Sequence, residues 1–408
     1  MSSVKILPLI ILNIALLGGC ISIPSQNNKT TFQDDVDFLR KHQDVVVLSD
    51  KSSLGQLVVA PALQGRILTS TADGTEGDSY GWINYKLIAS AKIKKHSNPY
   101  GGEDQLKIGP EGGQFSVFFA KGAPFDFEHW FTPPAFDSEP FRVISKTKRN
   151  IVLAKDMQLK NYSGSEFSLR VDREIRILEP AEISRILGIK PAPSLKSVAF
   201  ESRNTITNTG STPWKKSTGL LSIWISGMLI PTQDTTVVIP FVKGDEKSLG
   251  KTLNNNHFGK IPKNRLIVGD DVLFFRGDGN YRSRIGLSPM RSKSILGSYD
   301  PHKQVLTIVQ YNKPSSAHDY VNSTWALQEQ PYKGDTVASY NNGPSAENKD
   351  LPDPFYDLET SSPAAKLGVG GTMTHIHRTI HLTGPEEDLE PIARKLLGTS
   401  ITDIRLTM

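Results

Sequence analysis

Cysteine is almost absent from this chain of 408 residues: Cys20 is the only one, so no disulfide can form within the chain. The stability of the fold must therefore come from burial of a hydrophobic core. A basic block with interleaved aromatic residues is also absent, because Lys and Arg alternate with Asp and Glu and the net charge is only +5. This distribution gives nucleic-acid binding little support. The sequence also shows no alternation of strands with helices and no glycine-rich phosphate loop. Both absences argue against a nucleotide-binding α/β fold.

The amino terminus, in contrast, carries a clear targeting pattern. Lys5 precedes an apolar run over residues 6–17 that is too short to span a bilayer, and Gly18 and Gly19 follow it. Leu17-Gly18-Gly19-Cys20 resembles the bacterial lipobox, which implies cleavage before Cys20 and attachment of palmitate-like acyl chains to that residue. An ordinary signal peptide with an incidental cysteine is the alternative.

These features predict the domain organisation. Residues 1–19 are interpreted as a lipoprotein signal peptide, residues 20–31 as a polar tether, and residues 32–408 as a single domain without an internal linker. We expect a protein of the bacterial cell envelope that is anchored to the membrane through lipid on Cys20. Ile21 rather than Asp follows the cysteine, and the resemblance to well-studied bacterial lipoproteins then implies the outer membrane as the location.

Most of the remaining chain consists of short segments in which apolar and polar residues alternate, separated by Gly, Pro and Asn turns. Phe167, Leu169 and Val171, for example, alternate with polar neighbours as on a half-buried strand. This spacing predicts an all-β fold, either a sandwich or a barrel, with a few short helices. Helices are expected over Phe32–His42 and residues 384–397, and strands over residues 80–88, 115–119 and 320–327 among others.

Residues 100–130 concentrate the features of a site for a polar ligand. Glu103, Asp104 and Glu111 lie beside pairs of glycines, and His129 and Trp130 follow in a loop. Carboxylates on bent backbone can bind sugar hydroxyls, a histidine offers acid/base chemistry, and an indole face can stack on a sugar ring. The same carboxylates are of the kind that binds Ca²⁺, although no cofactor is implied. A strand with two tight turns and aromatic core residues is the alternative interpretation.

Two further clusters contain charged residues near predicted strand ends. Asp357 and Glu359 share one face of a strand that runs into a Ser-Ser-Pro turn, where binding sites tend to form. Arg276 precedes an Asp-Gly hairpin turn, and guanidinium groups match carboxylate or sulfate ligands. A solvated strand face and a hairpin with charged edges are the respective alternatives.

A third cluster contains histidines near the carboxyl terminus. His375, His377 and His381 lie on the same face of a predicted strand, and His-x-His is a known metal-ligand spacing. A hydrogen-bonded sheet face is the favoured interpretation, because no third ligand has a fixed spacing.

Two motifs resemble the galactose mutarotase (aldose epimerase) superfamily, in a divergent bacterial branch. They are Tyr100-Gly-Gly-Glu-Asp-Gln-Leu followed by Gly109-Pro-Glu-Gly-Gly, and Leu358-Glu359-Thr360 followed by residues 367–381. The resemblance extends over residues 44–382 and implies a large antiparallel β-supersandwich that binds sugar in a concave face.

The resemblance also implies catalytic roles. Glu359 corresponds to the general base that takes the proton from the anomeric hydroxyl. In the superfamily a histidine in the middle of the chain protonates the ring oxygen, but His257 lies in a predicted loop without a convincing motif, so His129 or His375 is the expected acid. The residues expected to orient the sugar are Glu103, Asp104, Glu111, Trp130 and Arg276.

The sequence therefore predicts an envelope lipoprotein that binds a carbohydrate and epimerises or cleaves it by acid/base chemistry. A non-catalytic glycan-binding or structural lipoprotein is the second hypothesis, and the sequence leaves the choice open. A metal-dependent enzyme built on the three C-terminal histidines is a third, weaker one. A carbohydrate and the membrane are the expected partners, and no nucleic acid is.

Overall fold

The computed structural model describes residues 30–255, 257–344 and 353–408 of the chain. The signal peptide, Cys20 and nearly all of the tether lie outside the described residues. None of the helices within them is long and apolar enough to cross a membrane.

The fold is all-β, with short helices at its edges. The helices are α1 (Phe32–His42), α2 (Tyr85–Ser90), α3 (Pro180–Leu187), α4 (Glu246–Leu249), α5 (Glu386–Leu397) and α6 (Ile401–Thr407). The strands of the first half are β1 (Val46–Ser49), β2 (Gln56–Ala60), β3 (Arg66–Thr71), β4 (Gln105–Gly109), β5 (Arg142–Lys146), β6 (Asn150–Lys160), β7 (Glu166–Ile177), β8 (Lys196–Asn208) and β9 (Ser222–Leu229). Those of the second half are β10 (Thr236–Pro240), β11 (Leu266–Val268), β12 (Val272–Arg276), β13 (Ser283–Leu287), β14 (Ile295–Asp300), β15 (Val305–Tyr311), β16 (Val337–Asn341), β17 (Tyr356–Ser361) and β18 (Thr372–Thr383).

Two antiparallel sheets form the sandwich. The large sheet has ten strands in the order β11-β12-β10-β14-β15-β18-β8-β7-β6-β5, and the small sheet has five in the order β13-β16-β17-β9-β4. A third sheet of three strands, β1-β2-β3, adds to one end. Every strand pairing in the three sheets is antiparallel. The prediction of a large antiparallel β-sandwich with few short helices is therefore confirmed.

The hydrophobic core fills the space between the two large layers. Ile108 and Ile225 of the small sheet pack with Val171 and Phe200 of the large sheet in one cluster, and Leu358 joins a second cluster at the other end. Helices α3, α5 and α6 cover the opposite face of the large sheet in a third cluster. The other face of the small sheet points away from the large sheet, and we call it the outer face. Met228 of β9 lies on this face and packs with Trp82 and Phe355.

Several predicted elements are confirmed and others are wrong. Helix α1 and the C-terminal helix α5 form as predicted, and Thr31 caps α1 with its side chain. The strand predicted over residues 80–88 is wrong because Asn84 caps a short helix there by accepting the amide of Leu87. The strands predicted over residues 115–119 and 320–327 are also wrong, since both segments are loops that pack on the sandwich.

Candidate functional site

The outer face of the small sheet carries charged side chains at its centre. In β17, Leu358 points into the core, so Asp357 and Glu359 point outward by the two-residue period of a strand. Ala338 of β16 pairs with Glu359 on one side and with Gly286 of β13 on the other. Arg284 lies two residues before Gly286 and therefore on the same face of the sheet. The register thus brings an arginine from β13 next to the glutamate of β17.

Arg284 and Glu359 form a largely buried ion pair. Nη2 of Arg284 donates to Oε2 of Glu359 over 2.8 Å, and the two side chains expose 20% and 6% of their surface. Burial by itself lowers the pKa of Arg284. The negative charges of Glu359 and Asp335 outweigh this effect and raise the pKa above its usual value. The guanidinium therefore stays charged and holds the Glu359 carboxylate in one orientation.

Asp357 lies beside this pair and is buried too. Its Oδ1 accepts the backbone amide of Tyr340 over 2.7 Å, and its Oδ2 accepts the hydroxyl of Ser226 over 3.1 Å. Burial, and then the charge of Glu359, raise the pKa of Asp357 well above its usual value. The carboxyl group of Asp357 therefore keeps its proton over more of the pH range than an isolated carboxyl.

A cavity adjoins this cluster and is lined in part by three connecting segments. Glu111 comes from the segment after β4, His257 from the segment between α4 and β11, and Asp335 from the segment before β16. Trp224 of β9 lines the cavity as well, and Lys107 lies 4.4 Å from the centre of its ring. We call Glu111, Arg284, Asp335, Asp357 and Glu359 the Arg284 cluster.

The titratable groups at the cavity have shifted pKa values. Burial raises the pKa of Asp335 to about 6, against the opposing effect of Arg284. Burial also raises the pKa of Glu111, although Lys107, Arg284 and the indole of Trp130 favour its charged form. Burial and the charge of Arg284 lower the pKa of His257 to about 4. Shifted titratable groups in one cavity are typical of a functional site.

Two glycines let the backbone come close enough to build the cavity. A Cβ on Gly286 would lie 2.1 Å from Oδ2 of Asp335, so only glycine leaves room for this carboxyl group. A Cβ on Gly112 would lie 2.4 Å from the carbonyl oxygen of Thr324, where the loop after β4 meets the segment before β16. The glycine-rich motif of residues 109–113 therefore serves close packing at the cavity wall.

The structure brings one predicted site residue to the cavity wall and a second one beside it. Glu111 lines the cavity, and Glu359 contacts Arg284, which lines it as well. Trp130 lies next to Glu111, where its ring stacks on Trp325 at 5.8 Å between ring centres. Their roles stay predictions.

Glu103 and Asp104 lie elsewhere, in the layer between the sheets. Oδ1 of Asp104 accepts a hydrogen bond from Arg173 over 2.6 Å, and both side chains are fully buried. Oε2 of Glu103 lies 2.8 Å from Nε2 of His381 and accepts the hydroxyl of Ser70. Both carboxylates thus have partners within the protein, and their role in sugar binding stays a prediction.

The other predicted residues also lie away from the cavity. His129 is part of a short turn of helix, Phe127–His129, and its Nδ1 lies 2.7 Å from Asp126. Arg276 of β12 contacts the carbonyl oxygen of Gln233 and the carboxylate of Asp234. The structure therefore does not bring these two side chains together with Glu359.

The C-terminal histidines face the space between the sheets. Thr360 Oγ1 lies 2.8 Å from Nε2 of His375 and 2.9 Å from Nδ1 of His377. Burial lowers the pKa of His375 to about 3 and that of His377 to about 4, so both are neutral at neutral pH. Across residues 30–255, 257–344 and 353–408, no three or more His, Cys, Asp or Glu side chains are arranged to hold a metal ion.

Asp335 and His257 were not singled out by the sequence, since Asp335 stands in a Lys-Gly-Asp segment and His257 in an Asn-rich loop. Arg284, with Arg276 and Arg282, flanks the predicted Asp-Gly hairpin, whose guanidinium groups were a candidate for binding carboxylate or sulfate. The expectation of an acid in the middle of the chain was the one available signal for His257.

Comparisons with known proteins identify a family for this chain. Residues 30–408 match a family of unknown function, DUF6786. The chain belongs to this family. No match is found among curated proteins.

Several solved structures share part of the course of this chain. A predicted aldose 1-epimerase from Escherichia coli K12 has 11% sequence identity and a TM-score of 0.49, over 83% of this chain and 98% of its own. The Slr1438 protein from Synechocystis sp. PCC 6803 has 13% identity and a TM-score of 0.48, over 84% of this chain and 96% of its own. A galactose mutarotase-like protein from Lactobacillus casei ATCC 334 has 10% identity and a TM-score of 0.48, over 83% of this chain and 100% of its own.

Proposed function

We propose that this protein is a lipid-anchored protein of the bacterial envelope that binds a carbohydrate at the Arg284 cluster and exchanges protons with it. The observation that carries the proposal is the largely buried Arg284–Glu359 ion pair beside a cavity that also holds Asp335 and His257. Carboxylates, amides and an indole around one cavity are well suited to sugar hydroxyls and to the apolar face of a sugar ring.

The chemistry that fits this arrangement is anomer exchange. Glu359 accepts the proton of the anomeric hydroxyl, the bond between the anomeric carbon and the ring oxygen breaks, and Asp335 gives its proton to the ring oxygen. Closure of the open-chain aldehyde on its other face, with both proton transfers reversed, gives the second anomer. Asp335 suits the acid role because its pKa of about 6 lies close to neutral pH, where proton donors are most effective.

The role that the sequence assigned to His129 or His375 thus moves to Asp335 in this proposal. His257, with a pKa of about 4, is neutral at neutral pH and can hydrogen-bond a sugar hydroxyl without giving up a proton.

A thermal-shift screen of the soluble protein, starting at Ser22, against neutral and acidic monosaccharides tests the binding part. A ligand at about 100 times its dissociation constant stabilises the folded state by about 2.7 kcal/mol, which is a readable shift. A hit is then assayed for anomer exchange by NMR with Glu359→Gln and Asp335→Asn, and with the exposed Glu166→Gln as the matched control. We expect the first two variants to lose exchange and the control to keep it.

The outcomes separate the hypotheses. Binding without exchange in the wild-type protein identifies a non-catalytic glycan-binding protein. Absence of binding to every saccharide contradicts the proposal as a whole.

A further inference from the structure

One aromatic side chain stands in the wall of the cavity on the outer face of the small sheet. Ile223 and Ile225 of β9 lie in the core, so Trp224 between them points outward. Trp224 is half-buried and lines the cavity. Within the part of the chain that the structure describes, no aromatic ring stacks on this indole. The indole therefore has a face available to a ligand in the cavity.

Lys107 supports the indole from the neighbouring strand. It pairs with Trp224 across β4 and β9. Leu106 and Ile108 lie in the core, so Lys107 between them points outward as well. Nζ of Lys107 lies 4.4 Å from the centre of the indole ring. Because a cation is attracted to the face of an aromatic ring, this contact favours one orientation of the indole.

The other neighbours of Trp224 at the cavity are small. Ser361 of β17 pairs with Trp224 on the side opposite Lys107. Ser222 precedes Trp224 by two residues on β9, and Gly109 of β4 pairs with Ser222. Gly109, Ser222 and Ser361 all line the cavity. We call these three residues the cavity floor, because their short side chains leave space beside the indole.

Polar groups line the remaining wall of the cavity. Asn254, His257 and Asp335 lie there, together with Arg284 of β13. A pyranose has an apolar C–H face that suits an aromatic ring, and a rim of hydroxyl groups that needs polar partners. A pyranose on the cavity floor can therefore meet the indole with its apolar face and the polar groups with its rim.

We propose that the ligand binds as a pyranose whose apolar face stacks on Trp224, and that Lys107 is the positioning residue that holds the indole for it. This inference rests on the proposed function, since it assigns the cavity to a sugar. It adds the ring form of the ligand, its orientation in the cavity and a positioning residue outside the Arg284 cluster.

The test of the stacking role compares substitutions of Trp224 by calorimetry. The probe is whichever of galactose, glucose, mannose, galacturonic acid and glucuronic acid the wild-type protein binds most tightly. Trp224→Leu keeps an apolar side chain without a ring and should weaken binding about tenfold, as expected for one lost stacking contact. Trp224→Phe keeps a ring and should retain most of the affinity. Phe127→Leu removes a ring that exposes 62% of its surface outside the cavity wall, and this matched control should bind like the wild type.

Two substitutions of Lys107 test its positioning role. Lys107→Met removes the charge from a side chain of similar length and should weaken binding about threefold. Lys107→Arg keeps a cation next to the ring and should restore the affinity. Lys95→Met is the matched control, because Nζ of Lys95 lies 5.5 Å from the ring centre of Phe131 on an exposed segment.

The kinetics of anomer exchange separate stacking from chemistry. The apolar face of a sugar carries none of the exchanging protons, so Trp224→Leu should raise KM and leave kcat nearly unchanged. Glu359→Gln should instead lower kcat. Both parameters are measured by NMR on the sugar that calorimetry identifies.

The outcomes distinguish this inference from the proposed function. Wild-type affinity in Trp224→Leu, or equal losses in Trp224→Leu and Trp224→Phe, overturns the stacking role while the proposed function stands. Wild-type affinity in Lys107→Met, or no recovery in Lys107→Arg, overturns the positioning role in the same way. A lower kcat at unchanged KM in Trp224→Leu also overturns the inference. Absence of binding of all five sugars to the wild-type protein overturns both.

Discussion

Replacing Arg284 by glutamine removes the positive charge from the Arg284 cluster and leaves the Glu359 carboxylate without its 2.8 Å partner. Removing one partner of a buried ion pair costs about 3–5 kcal/mol, because the remaining charge has lost its compensation but is still out of water. We therefore expect the free energy of unfolding to fall by about that amount at pH 8, measured by urea denaturation.

The pH dependence gives a second, independent readout. Without Arg284 the folded-state pKa of Asp335 rises further above its value in the unfolded chain, because Arg284 opposes the effect of burial on this carboxyl. A carboxyl with a raised folded pKa stabilises the fold below its unfolded pKa, and this contribution is lost as the pH rises through the folded pKa. The variant should therefore be closest to the wild type near pH 4 and lose stability progressively toward pH 8.

Two controls make this prediction refutable. Arg149→Gln breaks the ion pair with Glu179, in which the arginine exposes 48% of its surface, and should cost no more than about 1 kcal/mol. Arg284→Gln combined with Glu359→Gln removes both charges and should recover part of the loss. The reasoning is refuted if Arg284→Gln costs as little as Arg149→Gln, or if the double variant is no more stable than the single one.

Three further predictions concern the same region and the amino terminus. The pKa of Asp335 is raised to about 6 in the folded state, so the stabilising contribution of its protonated form is lost as the pH rises through 6. Asp335→Asn should therefore flatten the pH dependence of the denaturation midpoint around pH 6. An unchanged pH profile would contradict the assignment of this pKa. Gly286→Ala places a Cβ 2.1 Å from Oδ2 of Asp335 and should destabilise the protein by about 1–3 kcal/mol. The same variant should lose sugar binding, and both effects are measured on one purified sample. Wild-type stability and binding would show that Asp335 is free to move. Cys20→Ser should abolish labelling by palmitate in the bacterial host and release the protein from the membrane fraction, whereas retained labelling would place the acyl chain elsewhere.

The alternation of apolar and polar residues was sufficient to predict most strands. Phe167, Leu169 and Val171 face the core of the sandwich, as their spacing indicated. The same periodicity put Asp357 and Glu359 on one strand face, and the structure has them there. Local pattern works here because the period of two belongs to the backbone of a strand and does not depend on the partner strand.

Local pattern failed where helix capping or loop packing decided the conformation. Asn84 starts a helix inside a segment that has the apolar content of a strand, because its side chain satisfies the amide of Leu87. The aromatic residues around Phe119 pack against Phe125 and Trp325 instead of pairing in a sheet.

Sequence alone determined that this protein is built from antiparallel strands and that Glu359 belongs to a charged strand face. Only the tertiary structure decided which carboxylates meet at the cavity. Arg284 and Asp335 are far from Glu359 along the chain and become its neighbours through the pairing of β13, β16 and β17, while Asp104 is held in the core by Arg173. The physical reason is that periodicity assigns a residue to one of two faces, whereas the packing of the sheets decides which face is buried and which distant side chains share it.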